Sequence, residues 1–270
     1  MTMPRLSLPP ELERFREKLE PTVKPVIRIQ TNPQATAWHQ SKFGGLPYLP
    51  NGMELPKDAS GAAMRLLAQI NFEELPSVLE DWPQKGILQF FLSPDADGMG
   101  LDFDDQTNQS NFKVVFHEEL IPADGLVTDF SFLEEPKEDD FPPYKESALS
   151  FVLGQEAVSI TDRTFEAIFK GIDYEEVMKM EENQPIIFWQ LYSEQFSGEG
   201  HKIGGYPFFA QVDLRGNERY ADYDVLLLQV DTDKEAGIAW GDTGVGNFFI
   251  SKENLKKRNF SDVVYNWDCC

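Results

Sequence analysis

The residues of this chain that are best suited to bind a ligand form a short motif, Lys-x-Gly-Gly-x-Pro, which occurs at residues 42–47 and again at residues 202–207. Two adjacent glycines allow successive backbone N–H groups to converge on an anion, and a nearby lysine adds positive charge. A phosphate-binding loop is usually longer and opens a helix, whereas strand-like apolar residues and a proline follow here. We therefore predict a tight turn between strands. The alternative is an anion-binding turn with these residues: Lys42, Gly44, Gly45, Lys202, Gly204 and Gly205.

An acidic stretch at residues 95–105 is the second candidate site, because carboxylates on a flexible backbone are ligands that calcium prefers. Its spacing departs from that of an EF-hand loop. The glycine falls at the fourth position rather than the sixth, and the twelfth position is a glutamine. We therefore predict a solvated hairpin loop. Calcium is the one candidate cofactor, and its candidate ligands are Asp95, Asp97 and Asp102.

The chain offers little else for catalysis. It has three histidines, His39, His117 and His201, and it lacks the His-x-x-x-His, Cys-x-x-Cys and Gly-x-Ser-x-Gly motifs of zinc and serine-hydrolase sites. We expect His201, which directly precedes the second motif, on the surface or on an edge strand. No catalytic residue is predicted, and an enzyme is the less favoured class. Four tryptophans in or beside predicted strands are expected in the core: Trp82, Trp189, Trp240 and Trp267.

Composition indicates a folded, strongly acidic protein. The 270 residues are 41% hydrophobic and 13% aromatic, which is enough for a substantial core. Lysine and arginine number 24 against 46 acidic residues, a formal net charge of −22. Repulsion from polyanions argues against nucleic acid as a partner, whereas a cationic protein partner is compatible with this charge.

Segments that would direct the chain to a membrane or out of the cell are not evident. We see no apolar run of about 18 residues and no basic region followed by an apolar one at the N-terminus. The two cysteines, Cys269 and Cys270, are adjacent and cannot frame a secreted fold. A cytoplasmic location without membrane contact is therefore expected. The sequence does not indicate the oligomeric state.

The two motifs belong to a longer internal similarity. One offset of 160 residues (202 − 42) relates both motifs and further positions on either side of them without a gap. Identity is concentrated at glycine and proline, where backbone geometry dictates the residue. A constant offset through strands and turns predicts an internal duplication. The further matched pairs include Pro25/Pro185, Ile27/Ile187, Gln30/Gln190, Leu66/Leu226, Gln69/Gln229 and Gly86/Gly246.

The similarity resumes beyond Gly86 with a shorter offset. The segment Asn111–Phe116 resembles Asn259–Tyr265, an offset of 148 (259 − 111). The first copy is therefore predicted to carry 12 additional residues (160 − 148), which fall most simply in the acidic stretch. In their place the second copy has a short helix, which Ser251 can cap.

The fold class we predict is α+β and mainly β, an internally duplicated strand-rich repeat with an N-terminal helix and with helices inserted between the copies. Apolar spacing predicts the N-terminal helix at residues 7–20. The inserted segment, residues 102–184, holds 21 acidic and 6 basic residues. Helices are predicted there at 161–170 and at 173–182, the latter from a capping pattern of Asp173 and Glu176.

These elements form one compact pseudo-symmetric unit in our prediction. Its parts are an N-terminal helix at 1–24, a first β-rich repeat at 25–127, an acidic linker with helices at 128–184 and a second β-rich repeat at 185–270.

Four phrases, SKFGGLPYLP, LLAQINFEELP, GILQFFLS and AWGDTGVGNFFIS, resemble the YwqG-like family of uncharacterised bacterial proteins. The resemblance extends from about residue 25 to the C-terminus. It implies a mainly-β fold with some helix in a bacterial cytosolic protein. It implies no established activity and no catalytic residues.

Two functions remain open from the sequence. The first is a non-enzymatic protein that binds a cationic protein partner, and neutralisation of a toxin is one concrete form of it. The acidity, the lack of catalytic motifs and the duplicated scaffold favour this function. The alternative is a protein that binds a small ligand or calcium, with hydrolytic chemistry as one form, in a cleft between the repeats.

Overall fold

The computed structural model describes residues 5–76, 79–94, 98–133, 136, 141–181 and 184–270. Most of its regular structure is β-strand, which confirms the predicted mainly-β class. The strands are β1 Lys24–Pro33, β2 Lys42–Phe43, β3 Arg65–Asn71, β4 Ile87–Leu92, β5 Phe112–His117, β6 Ser147–Glu156, β7 Val177–Glu181, β8 Gln184–Ile187, β9 Lys202–Gly204, β10 Val225–Asp231, β11 Val245–Ile250 and β12 Val264–Asp268.

Helical elements are short. They are the α-helices α1 Arg16–Leu19, α2 Phe165–Ile168, α3 Phe188–Phe196 and α4 Lys252–Lys257, and the 3₁₀ turns Pro10–Phe15, Glu20–Thr22, Phe72–Glu74, Ala123–Gly125, Leu214–Gly216 and Glu218–Tyr220. None of the helices in the described part of the chain is long and apolar enough to span a bilayer.

Ten strands form one antiparallel sheet in the order β12-β11-β10-β9-β1-β6-β2-β3-β4-β5. The two central strands, β1 and β6, pair over ten residues each, from Lys24 opposite Glu156 to Pro33 opposite Ser147. The predicted acidic linker at 128–184 therefore contains a central strand of the sheet. Its burial comes from pairing with β1 and β2, which are more than 100 residues away from it in sequence.

The two halves of the sheet have the same construction. In each, a glycine turn leads to a central strand, β3 or β10, which pairs with the next strand and carries a bulge at the same place. The pairing places Gln69 opposite Gln89, and Gln229 opposite Asn247. The offset in β4 and β11 is therefore 158 (247 − 89), and the match of Gly86 to Gly246 is wrong by two residues. The connection from β3 to β4 is two residues longer than that from β10 to β11.

The start of the second copy also differs from the prediction. The matched stretch at 185–190 is not equivalent to β1, because β8 ends at Ile187 and Phe188–Phe196 is a helix. The partner of β8 is β7, in a separate two-stranded sheet. The strand beside β9 in the large sheet is β1 itself. Three identities at one offset were sufficient to suggest a strand equivalence that hydrogen bonding does not produce.

The two halves of the sheet pack against each other through aromatic side chains. The rings of Phe90 and Phe248 lie 4.8 Å apart, and those of Phe112 and Tyr265 lie 5.2 Å apart. Because β5 and β12 are the two edges of the sheet, the second contact shows that the sheet curls until its edges approach. Residues of both halves form one buried core.

The acidic stretch of the first half closes the gap between these edges. The hydroxyl of Tyr265 donates to the carbonyl of Met99, the indole of Trp267 donates to that of Gly98, and the amide of Gln106 donates to Asn266. The predicted match of Asn111 to Asn259 is wrong, because the residues after Asn259 form a turn and β12 starts at Val264.

Strand pairing also revises the length of this insertion. Gln89 lies opposite Val115, 26 residues on, whereas Asn247 lies opposite Asn266, 19 residues on. The connection is longer in the first half by seven residues (26 − 19), not by 12.

A helical layer covers part of the second half and has its own core. The N-terminal helical segment from Pro10 to Thr22 buries Leu12, Phe15 and Leu19, as the apolar stripe predicted. Further rings from α2 and α3 complete this core. The helix predicted at 173–182 is wrong over the described residues, because Val177–Glu181 is strand β7. The Asp173 side chain accepts from the backbone of Glu175 in a turn, so the apparent capping pair initiates no helix.

Candidate functional site

The two Gly-Gly pairs form tight turns, as predicted. Gly44 and Gly45 have φ values of +63° and +70°, and Gly204 and Gly205 have +71° and +69°. These left-handed conformations are costly for residues with a Cβ atom, which accounts for the repeated glycines. The turns therefore place their lysines in the sheet interior rather than in solvent.

Both lysines are buried beside a carboxylate of the same chain. The side chain of Lys202 is 2% exposed, and its Nζ lies 3.0 Å from Oε1 of Glu156. That oxygen also accepts from the backbone N–H of Tyr206 at 2.6 Å. In the first turn, Nζ of Lys42 donates to the carbonyl of Leu46 and lies 3.6 Å from Glu146. Burial lowers the pKa of both lysines, although the facing carboxylates oppose that shift.

These carboxylates occupy the space that an external anion would need. A Cβ atom added at Gly205 would lie 2.1 Å from Oε1 of Glu156, and one added at Gly45 would lie 2.7 Å from the side chain of Glu146. Each turn therefore holds an anionic group that the chain itself supplies. Binding of an external anion by the candidate residues stays a prediction, and an incoming anion would have to displace a carboxylate.

The calcium site stays a prediction as well. Asp95 and Asp97 lie outside the described residues. Oδ1 of Asp102 accepts from the backbone N–H groups of Asp104 and Asp105, and its Oδ2 accepts from Asn108. These hydrogen bonds lower the pKa of Asp102. Within the described ranges, no cluster of three or more His, Cys, Asp or Glu side chains has the arrangement of a metal site.

The histidine predictions were wrong for His201, which is buried near the centre of the sheet. Its Nδ1 accepts from the backbone N–H of Asp231 at 2.9 Å, so its Nε2 carries the proton and faces Asp233 at 3.4 Å. His117 is buried too, and its Nε2 lies 2.9 Å from Oε1 of Gln89. Burial lowers the pKa of both histidines, so both are neutral in the folded protein at pH 7.

This burial predicts a loss of stability in mild acid. The unfolded chain binds protons below the ordinary histidine pKa of about 6.5, whereas the folded chain resists doing so. The stabilisation is complete above about pH 6.5 and falls as the pH decreases towards the lowered folded values. At pH 5.5 each histidine costs up to about 1.4 kcal/mol. Urea unfolding at pH 7.5 and 5.5 measures the change. The variant H117Q/H201N, whose amides replace the observed hydrogen bonds, should lose less; an equal loss would contradict the assignment.

A cavity of about 690 Å³ adjoins the first glycine turn. Gly45, Arg65 and Glu146 line it together with the rings of Phe130 and Phe141. The guanidinium carbon of Arg65 lies 6.0 Å from the centroid of Phe141. The Nη1 atom of Arg65 is buried and has no hydrogen-bond acceptor, and no ion pair of this side chain occurs among the described residues. The sequence gave no signal for this site, because an arginine at the start of a strand is ordinary and its lack of a partner is a tertiary property.

A second feature that the sequence did not predict is an apolar face on the hairpin of β7 and β8. The pairings Val177 with Ile187 and Met180 with Pro185 place these four side chains on the outward side, which we call the hairpin face. Met178 and Ile186 instead pack into the helical core. Met180 is 64% exposed and Val177 is 52% exposed.

Tryptophan 189 extends this apolar surface. Trp189, which was expected in the core, is 44% exposed in the first turn of α3, two residues after Ile187. Of the other tryptophans, Trp240 is fully buried as expected, and Trp82 and Trp267 are half-buried. Acidic residues flank the hairpin: Glu175 precedes β7, Glu181 ends it, and both are exposed.

The sequence matches a family model described as a domain of unknown function, DUF1963, over residues 41–269. The chain belongs to this family. The matched part contains both glycine turns, the cavity at Arg65 and the hairpin face. No curated protein matches the sequence.

Proposed function

We propose that this member of the DUF1963 family is a binding protein for a cationic protein partner, and that the partner docks on the hairpin face. The observation that carries the proposal is an exposed apolar surface with acidic neighbours. The four residues of the hairpin face and Trp189 lie between Glu175 and Glu194 in the sequence. A partner with an apolar anchor and a basic rim fits this surface, because buried anchors give affinity and opposite charges give orientation and speed.

Net charge supports the same direction of recognition. At −22 the chain attracts a basic protein over distances of about the Debye length, roughly 8 Å at physiological salt. Neutralisation of a basic toxin is one form that such binding takes. The chemistry excludes nucleic acid as the natural occupant, since phosphates would meet repulsion from the same carboxylates.

Affinity capture from a lysate of the source cells tests the proposal. We expect the wild-type chain to retain a basic protein at 0.15 M salt and to release it at 0.5 M salt. The double variant M180A/W189A should bind the purified partner at least about tenfold more weakly, because large exposed side chains at an interface centre contribute most of the affinity.

A matched control removes two equally exposed apolar side chains elsewhere. Phe103 and Val212 are 76% and 77% exposed and do not belong to the hairpin, so F103A/V212A should bind like the wild type. Capture of no protein at any salt concentration would refute the proposal. Capture that M180A/W189A retains in full would refute the hairpin face as the docking surface.

Three finer assignments belong to the proposal. The quoted phrases support membership in the YwqG-like group of bacterial proteins. The identical strand order and glycine turns of the two halves support an origin by internal duplication. The pair of free cysteines at the C-terminus supports a reducing, cytoplasmic environment.

A further inference from the structure

We infer that the cavity beside the first glycine turn binds a small molecule that carries an oxyanion, a carboxylate or a phosphate, on an apolar body. The cavity is separate from the hairpin face, so this inference does not depend on the proposed partner. Its volume of about 690 Å³ lies within the range of small-molecule sites, which are mostly apolar with a few polar groups.

The charge of the ligand follows from Arg65. A guanidinium presents five N–H donors and stays charged at all physiological pH values. Its Nη1 is buried without an acceptor, which is a costly state for a donor. An oxyanion that enters the cavity supplies the missing acceptor, and its planar or tetrahedral oxygens suit the fork of the guanidinium.

The acidic side chains of the cavity do not supply this acceptor. Glu146 accepts from the backbone N–H and the hydroxyl of Thr36 and faces Lys42. Asp129 accepts from the backbone N–H of Ser131. Both carboxylates therefore have partners of their own within the fold, and neither pairs with Arg65. An exposed cation, Lys145, lines the same cavity and favours an anion at its entrance.

The apolar body of the ligand follows from the walls. Phe130 and Phe141 are buried with 6% and 4% of their surfaces exposed, and Leu55, Met64 and Leu66 belong to the same lining. Such walls bind an aromatic or aliphatic group by removing its surface from water. A bare anion such as acetate would satisfy Arg65 but would leave these walls without contacts.

Calorimetry and thermal unfolding with four probes test the inference: 3-phenylpropionate, phenyl phosphate, the neutral 3-phenylpropanamide and acetate. We expect one or both aromatic anions to bind and to raise the unfolding temperature, and the amide and acetate to bind at least about tenfold more weakly. The two aromatic anions distinguish a carboxylate ligand from a phosphate ligand.

Two variants locate the binding. R65M should weaken the aromatic anions about 10- to 100-fold, which is the effect of losing one charge-assisted hydrogen bond. Its unfolding temperature should equal or exceed that of the wild type, because the substitution removes an unsatisfied donor. L46W keeps Arg65 but fills the cavity from its rim, and it should weaken the same probes. Failure of both anions to bind, equal binding of the amide, or unchanged binding in R65M and L46W would overturn the inference.

Discussion

Replacement of Arg215 by methionine should lower the free energy of unfolding by about 3 to 5 kcal/mol, measured by urea denaturation at pH 7. Arg215 is 3% exposed and pairs with Asp213 at 2.6 Å and with Asp162 at 2.8 Å. Both carboxylates are buried as well. The variant would leave two buried charges without a cation, and this loss is large because neither carboxylate can reach water. Asp162 precedes α2, so the same cluster joins the helical layer to the second half of the sheet.

The pH dependence gives this prediction a second readout. Burial would raise the pKa of Asp162, but the charge of Arg215 and hydrogen bonds from Thr164 outweigh it, so that pKa is lowered. In the wild type this contribution to stability is present above the unfolded pKa of about 3.9 and is lost as the pH falls through the folded value. In R215M the carboxylates gain stability by protonation. The difference between the two proteins should therefore narrow on acidification.

Two controls isolate the buried cluster. R219M makes the same chemical change in an exposed pair, Arg219 with Asp105, and should cost at most about 1 kcal/mol. The triple variant R215M/D162N/D213N removes the unpaired charges and should recover part of the loss. Equal stability of R215M and R219M would contradict the assigned role of the cluster.

The sequence predicted most strands and the helix capped by Ser251, because these depend on local apolar spacing and turn residues. It misplaced the hairpin, where Asp173 and Glu176 imitate a capping pair, although the cross-strand contacts of Val177 and Met180 decide the structure. It also missed β6, because the pattern from Ser147 to Glu156 is that of a central strand only when β1 lies beside it.

The glycine motif shows what a sequence repeat can and cannot locate. It correctly placed two turns with positive φ. It could not show that Glu146 and Glu156 fill them, because these residues lie far from the motifs in sequence. The hairpin face and the cavity at Arg65 escaped prediction for a related reason. Both depend on which atoms lack a neighbour in the folded chain, and residue types and spacing do not encode that locally.

Substitution of Gly205 by alanine should cost about 3 to 5 kcal/mol of unfolding free energy, the second large effect that we expect. One part is conformational, about 1 to 2 kcal/mol for an L-residue held at φ +69°. The larger part is the loss of a buried ion pair, because the new methyl group needs the space of the Glu156 carboxylate. That carboxylate could move only by leaving Lys202, whose buried charge would then be unpaired.

Gly200 supplies the matched control for this prediction. It has a similar positive φ of +92°, but an added Cβ atom meets nothing within 4 Å. G200A therefore measures the conformational cost alone and should lose about 1 to 2 kcal/mol in the same urea experiment. The excess in G205A is the contribution of the ion pair, and adding K202M to G205A should reduce the further loss that the stranded lysine causes. If G205A and G200A were equally stable, Glu156 would not be fixed in the turn, and the turn would be open to an external anion.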